Sequence, residues 1–157
     1  MSVEVLKRSA LFRDFTPVGL EIFARIAKPR IVLAGKPLFI DGQPAQSLVI
    51  IGEGRFQILV KDPDGQEVSL ASLGPGEHLA EMAILSHARP AVHLCSAVAE
   101  VDSKVLEISS SDFLKMMELK PQACIKLLLT AVQQFGQKVA DCREPLRRAL
   151  LKTASPS

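Results

Sequence analysis

Cysteine is scarce in this 157-residue sequence: Cys95, Cys124 and Cys142 are odd in number, widely spaced and form no C-x-x-C pair. That excludes a disulfide framework or a zinc knuckle and leaves buried structural thiols as the expected state. Long apolar runs are missing as well. None approaches the roughly 18 to 20 residues needed to cross a bilayer, and Glu4, Lys7 and Arg8 interrupt the N-terminal stretch that a secretory leader would keep apolar. The expectation is a cytoplasmic protein without membrane association. Excess charge of one sign is also lacking, for 19 basic residues against 17 acidic ones leave a net charge of +2. Such a balance lays down no broad footprint for nucleic acid. Histidine is confined to His78, His87 and His93, without an H-x-H pair, so a three-histidine metal centre would require all of them to converge. A cupin-like metalloenzyme is thus a remote alternative, and no metal or other cofactor is assigned. With G-x-S-x-G, H-E-x-x-H and Walker-type motifs also absent, no catalytic residue is assigned and the chain is read as non-enzymatic.

What is present is a core-forming composition, 48% hydrophobic and 23% charged, at a length that suits one domain. Three zones follow one another within a domain spanning residues 1–152. In residues 1–29 apolar side chains recur at helical intervals around Thr16-Pro17, a cap and first-turn pair, which predicts two short helices ended by Pro29. Residues 30–108 switch to short β-branched and aliphatic runs separated by turn signals such as Asp41-Gly42, Asp62-Pro63-Asp64-Gly65 and Gly74-Pro75-Gly76. These predict an antiparallel sandwich or small barrel, with Val92-His93-Leu94-Cys95 as one of its strands. Helical periodicity returns over residues 110–150, and residues 153–157 are expected to be a frayed tail.

The chain is organised around residues 73–99. A Gly-Pro-Gly turn leads into the short run Ala80-Glu81-Met82-Ala83-Ile84-Leu85, whose composition favours a helical turn. Glu81 places a carboxylate at the mouth of an apolar segment. That suits a small polar ligand, although a solvated or ion-paired carboxylate at a helix start is the plainer alternative.

The spacing Leu11-Phe12, Ala34-Gly35, Leu38-Phe39, Gly42, Leu48-Val49-Ile50-Ile51-Gly52-Glu53-Gly54, Asp64-Gly65 and Leu73-Gly74-Pro75-Gly76-Glu77 resembles the cyclic-nucleotide-binding domain family. The resemblance runs from about residue 6 to residue 142. It implies a mainly β fold with flanking helices (α+β), a jelly-roll-like β-barrel holding a phosphate-binding cassette within residues 74–99, and C-terminal helices that move on ligand binding. Members that bind cyclic nucleotide carry Phe-Gly-Glu where this chain has Leu79-Ala80-Glu81, continued by Met82 and Ala83. Glu81 thereby matches the family's ribose-binding glutamate, while Ala80 replaces a glycine and adds a Cβ where phosphate would approach. For the family's phosphate-binding arginine, counting forward from Glu81 selects Arg89, whereas counting back from Ala99 selects His93, with Ser96 at a later polar position. His93 is the favoured alignment, with Arg89 on a lengthened loop.

A neutral imidazole cannot reproduce the charge-assisted bonds of a guanidinium to phosphate. Losing such a contact costs on the order of 1.5 to 3 kcal/mol, or roughly tenfold to a few hundredfold in affinity. The resulting expectation is a regulatory module that binds cyclic AMP or cyclic GMP weakly or not at all. The alternative is a true sensor of cyclic AMP, cyclic GMP or cyclic di-GMP that uses Glu81 with Arg89 or His93.

Past the barrel, Ile125, Leu128, Val132, Phe135, Val139 and Cys142 follow three-four spacing, continued by Leu146 and Ala149. This predicts a seam for a homodimer or another signalling protein. Packing of the same stripe on its own barrel is the competing possibility. Gly136 weakens the helix, and Pro145 is expected to push Glu144 out of helical geometry. The dozen residues after Pro145 are too few for a helix-turn-helix, so DNA binding is not expected.

Overall fold

The structure is a computed structural model, described here for residues 2–86 and 89–154. Helix α1 (Ser2–Arg8), a single 3-10 turn at Ala10–Phe12 and α2 (Pro17–Ala24) open the chain. Thr16 caps α2 as its composition predicts: the Gly19 N–H donates to the hydroxyl at 3.2 Å, and Pro17 takes the first turn. Strands follow at β1 (Lys28–Val32), β2 (Pro37–Phe39), β3 (Ser47–Glu53), β4 (Phe56–Lys61), β5 (Glu67–Leu73) and β6 (His78–Leu79). The one-turn helix α3 (Met82–Leu85) precedes β7 (Ser96–Ala99) and β8 (Ser103–Ser109), and α4 (Ser110–Leu119), α5 (Pro121–Asp141) and α6 (Arg143–Ala154) complete the described chain.

The strands form two antiparallel four-stranded sheets, ordered β1-β8-β3-β6 and β2-β7-β4-β5, so the fold is the jelly-roll-like arrangement that the strand spacing and the resemblance anticipate. Its two cores share one sheet. Because successive strand residues face opposite ways, Leu48 and Ile50 of β3 and Leu106 and Ile108 of β8 pack against Phe12, Phe23, Phe113 and Leu127 of the helices. Their neighbours Val49, Ile51 and Val105 face the other sheet, against Phe39, Phe56, Ile58 and Ala97. Burial on both faces explains why β3 reads as an unbroken apolar run rather than an alternating one. The β3–β4 turn needs Gly54 (φ +91°), where a Cβ would collide with Ser103.

Several expected boundaries move. Pro29 does not end a helix; it lies inside β1, which begins at Lys28 on the sheet edge, where a missing N–H is tolerated. The expected strand at residues 92–95 is replaced by an isolated bridge between Pro44 and Val92. His93 still exchanges bonds with the facing loop, through Gly42 N–H to His93 O and His93 N–H to Gln43 O, both at 2.8 Å. The pairing extends past Pro44 through Ala45 N–H to Ala91 O at 2.8 Å and goes no further on the other side, where the Gln43 N–H turns back to Ile40 O at 3.1 Å. Glu144 is helical, contrary to expectation. The break falls at Cys142 instead, leaving Pro145 in the first turn of α6, where its absent N–H costs little. Thr153 and Ala154 belong to α6 and not to a tail; residues 155–157 lie outside the described residues, as does His87.

Candidate functional site

The cassette is built on a strained residue. Leaving β6, the chain turns at Ala80, which has φ +60° and is the non-glycine residue with positive φ among the described residues. This is the position where the family resemblance places glycine. The turn lets α3 start at once, with bonds from Ala83 N–H to Ala80 O (3.0 Å) and Ile84 N–H to Glu81 O (3.1 Å). Buried Ala83 and Ile84 hold the turn down, while Met82 is exposed. Glu81 therefore stands at the helix N-cap, where it makes no capping bond with its side chain.

The cation that meets Glu81 comes from α5. Lys138 Nζ lies 3.7 Å from Glu81 Oε1, and the side chains are 58% and 17% exposed respectively. Buried His78 of β6, paired with Ile50 of β3, lies within reach of both charges. Burial pushes its pKa below the ordinary value; the carboxylates of Glu81 and Glu77 oppose the shift and Lys138 adds to it. Burial, together with Asp41 and Glu81, raises the Cys95 thiol, keeping it protonated at neutral pH. Only Cys124 fulfils the expectation of a buried thiol, since Cys95 is half-buried and Cys142 exposed.

The other sequence candidates are dispersed. The His93 ring stacks flat on Phe39, with centroids 3.7 Å apart and 3° between planes. It lines a 240 Å³ cavity shared with Arg30, Gln43, Ser47 and Glu107, in which Arg30 is already paired with Glu107 at 3.0 Å. Desolvation lowers its pKa, so at neutral pH it carries no cation. Arg89 borders a different cavity, of 350 Å³, which it shares with Ala83 and Ile84 of α3 and with Gln46, Ser86 and Phe113. The Ser96 hydroxyl is taken, accepting the Asp41 N–H at 3.0 Å. A third cavity, of 410 Å³, lies on the outer face of β1 and β8 beneath α1. None of the three cavities has Glu81 in its lining. The structure thus brings Leu79, Ala80, Glu81, Met82 and Ala83 together and adds His78, Cys95 and Lys138, which sequence reading did not select. Lys138 is 57 positions from Glu81, and no local pattern marks it.

Along α5, Ile125, Val132, Phe135 and Val139 are about half exposed or more, and Cys142 is exposed. Leu128 is partly buried against the helical core, and the buried face is Cys124, Leu127 and Ala131. The predicted seam and the intramolecular contact are therefore adjacent faces of one helix. No helix among the described residues is long and apolar enough to cross a membrane.

Residues 29–120 match the family model for the cyclic nucleotide-binding domain, and the chain belongs to that family. It is 31% identical over 116 residues to the cyclic AMP receptor protein of Thermus thermophilus, covering 74% of this chain and 52% of that one. A cyclic nucleotide-binding-like protein from Brucella abortus is 33% identical with a TM-score of 0.63, over 74% of this chain and 97% of the other. The cyclic nucleotide-binding domain from Methylobacillus flagellatus shares the fold, with a TM-score of 0.78 at 21% identity over 99% and 84% of the two chains. The chain spans 52% to 62% of the length of the first curated relatives that it matches.

Proposed function

We propose that this chain is a non-enzymatic regulatory module whose cassette keeps the family's carboxylate but not its phosphate-binding cation, and that it acts through protein contacts along α5. The observation that carries this reading is the surroundings of Glu81: the stacked His93 and Arg89 line separate cavities that do not include the carboxylate, and Lys138 is the cation paired with it. Without a guanidinium, cyclic AMP and cyclic GMP bind roughly tenfold to a few hundredfold more weakly than to a cassette that has one. A partner engages the exposed Ile125, Val132, Phe135 and Val139 stripe, and the regular alternation of Ile or Val with Leu or Phe favours a second copy of this chain.

Calorimetric titration with cyclic AMP, cyclic GMP and cyclic di-GMP at pH 7.5 and 5.5 tests the cassette. Weak or undetectable heats are expected. Tight binding abolished by Glu81→Ala would establish a true sensor instead. Binding that appears only at pH 5.5 would assign the phosphate contact to protonated His93.

A further inference from the structure

We infer that Lys138 is the cassette's own occupant: its ammonium sits on the carboxylate that a hydroxyl-bearing ligand has to reach, and in doing so ties the distal half of α5 across the cassette mouth. The inference rests on the reading of residues 79–83 as a ligand cassette.

Helix α5 has two mechanically different halves. Cys124, Leu127 and Ala131 anchor the first in the helical core, and none of its residues beyond Ala131 is buried. Gly136 lies between the anchor and Lys138, and a Cβ built there meets nothing within 4 Å. Glycine here answers no steric demand and locally loosens the helix. The Lys138–Glu81 ion pair, 3.7 Å long, connects this loose half to the barrel.

The charges around the mouth favour a cation over an anion. Glu77 and Glu81 both act on His78, Asp41 and Glu81 both act on Cys95, and Lys138 is the cation acting on His78. At 17% exposure Glu81 has lost most of its water and gains from a counter-charge. A cyclic phosphate entering this field is repelled, whereas a lysine ammonium supplied by the chain itself is drawn in. Occupation of Glu81 by ligand and docking of distal α5 are consequently competing states. The released half carries Phe135 and Val139, two of the exposed apolar residues of the partner stripe.

Hydrogen exchange on the whole chain, without nucleotide, tests the tie directly at the amides of residues 134–141. Wild type is compared with Lys138→Met, Glu81→Gln, the double variant and Lys138→Arg. Because a partly exposed ion pair is worth up to about 1 kcal/mol, each neutralising variant is expected to exchange about two- to fivefold faster. The double variant should be no faster than either single, and Lys138→Arg should stay slow. Unchanged exchange in both single variants, or additive effects in the double, overturns the inference whatever nucleotide does. In a parallel cyclic AMP titration, Lys138→Met is expected to bind more tightly than wild type. Weaker binding in that variant overturns it too, by making Lys138 a contact for the ligand. Tight binding by wild type would instead defeat the degenerate-cassette reading while leaving the exchange comparison to decide the tie.

Discussion

Ala80 holds a left-handed conformation, φ +60°, that costs an L-residue about 1–2 kcal/mol and glycine almost nothing. The greater freedom of glycine in the unfolded chain returns about 0.4–1 kcal/mol of that. Ala80→Gly is therefore expected to stabilise the protein by about 0.5–1 kcal/mol in urea unfolding. The family resemblance places a glycine at this position, but that Ala80 still adopts a glycine-like φ is a finding of the structure. His78 and His93 both have lowered pKa values. An imidazole in that situation takes its proton preferentially in the unfolded chain, so its contribution is intact above about pH 6.5 and is lost as pH falls below it. Urea midpoints should fall between pH 7.5 and 5.5. His78→Gln should flatten that slope more than His93→Gln, because His78 is the more deeply buried; an equal slope in wild type and both variants would refute the assignment.

At the scale of the element, α5 combines a seam, an anchor and a loose joint within 21 residues. Gly136 faces open space, so Gly136→Ala should add about 0.5–1 kcal/mol of stability. It should also slow exchange over the distal half. The exposed stripe predicts concentration-dependent self-association by light scattering, with Val139→Glu giving a folded monomer; a wild type that remains monomeric at high concentration would leave the stripe to a different partner. The heptad pattern was readable in the sequence because its residues recur at fixed spacing. The partial burial of Leu128 was not, because it depends on where the helical core lies. Pro145 illustrates the same limit. Its effect on Glu144 depends on whether the helix has already been interrupted, and the break at Cys142 places the proline in a first turn.

For the whole molecule, β3 couples the two cores by giving alternate residues to each. Ile50→Ala, on the helical side, and Ile51→Ala, between the sheets, should each cost about 2–5 kcal/mol. Both should lower the urea midpoint with little change in slope, the mark of one cooperative unit. A biphasic transition in either variant would show that the helical and inter-sheet cores unfold separately.

The sequence by itself determined the helix–strand–helix order, the turns, the family likeness and Glu81 as a candidate ligand group, since all of these are encoded in local periodicity, turn chemistry and fixed spacing. Tertiary structure decided which cation meets that carboxylate. Arg89 and His93 are near Glu81 along the chain yet face other cavities, whereas Lys138 reaches it from 57 residues away. Side-chain direction and the docking angle of α5 come from long-range packing of Cys124, Leu127 and Ala131 on the helical core, and no local spacing carries that information.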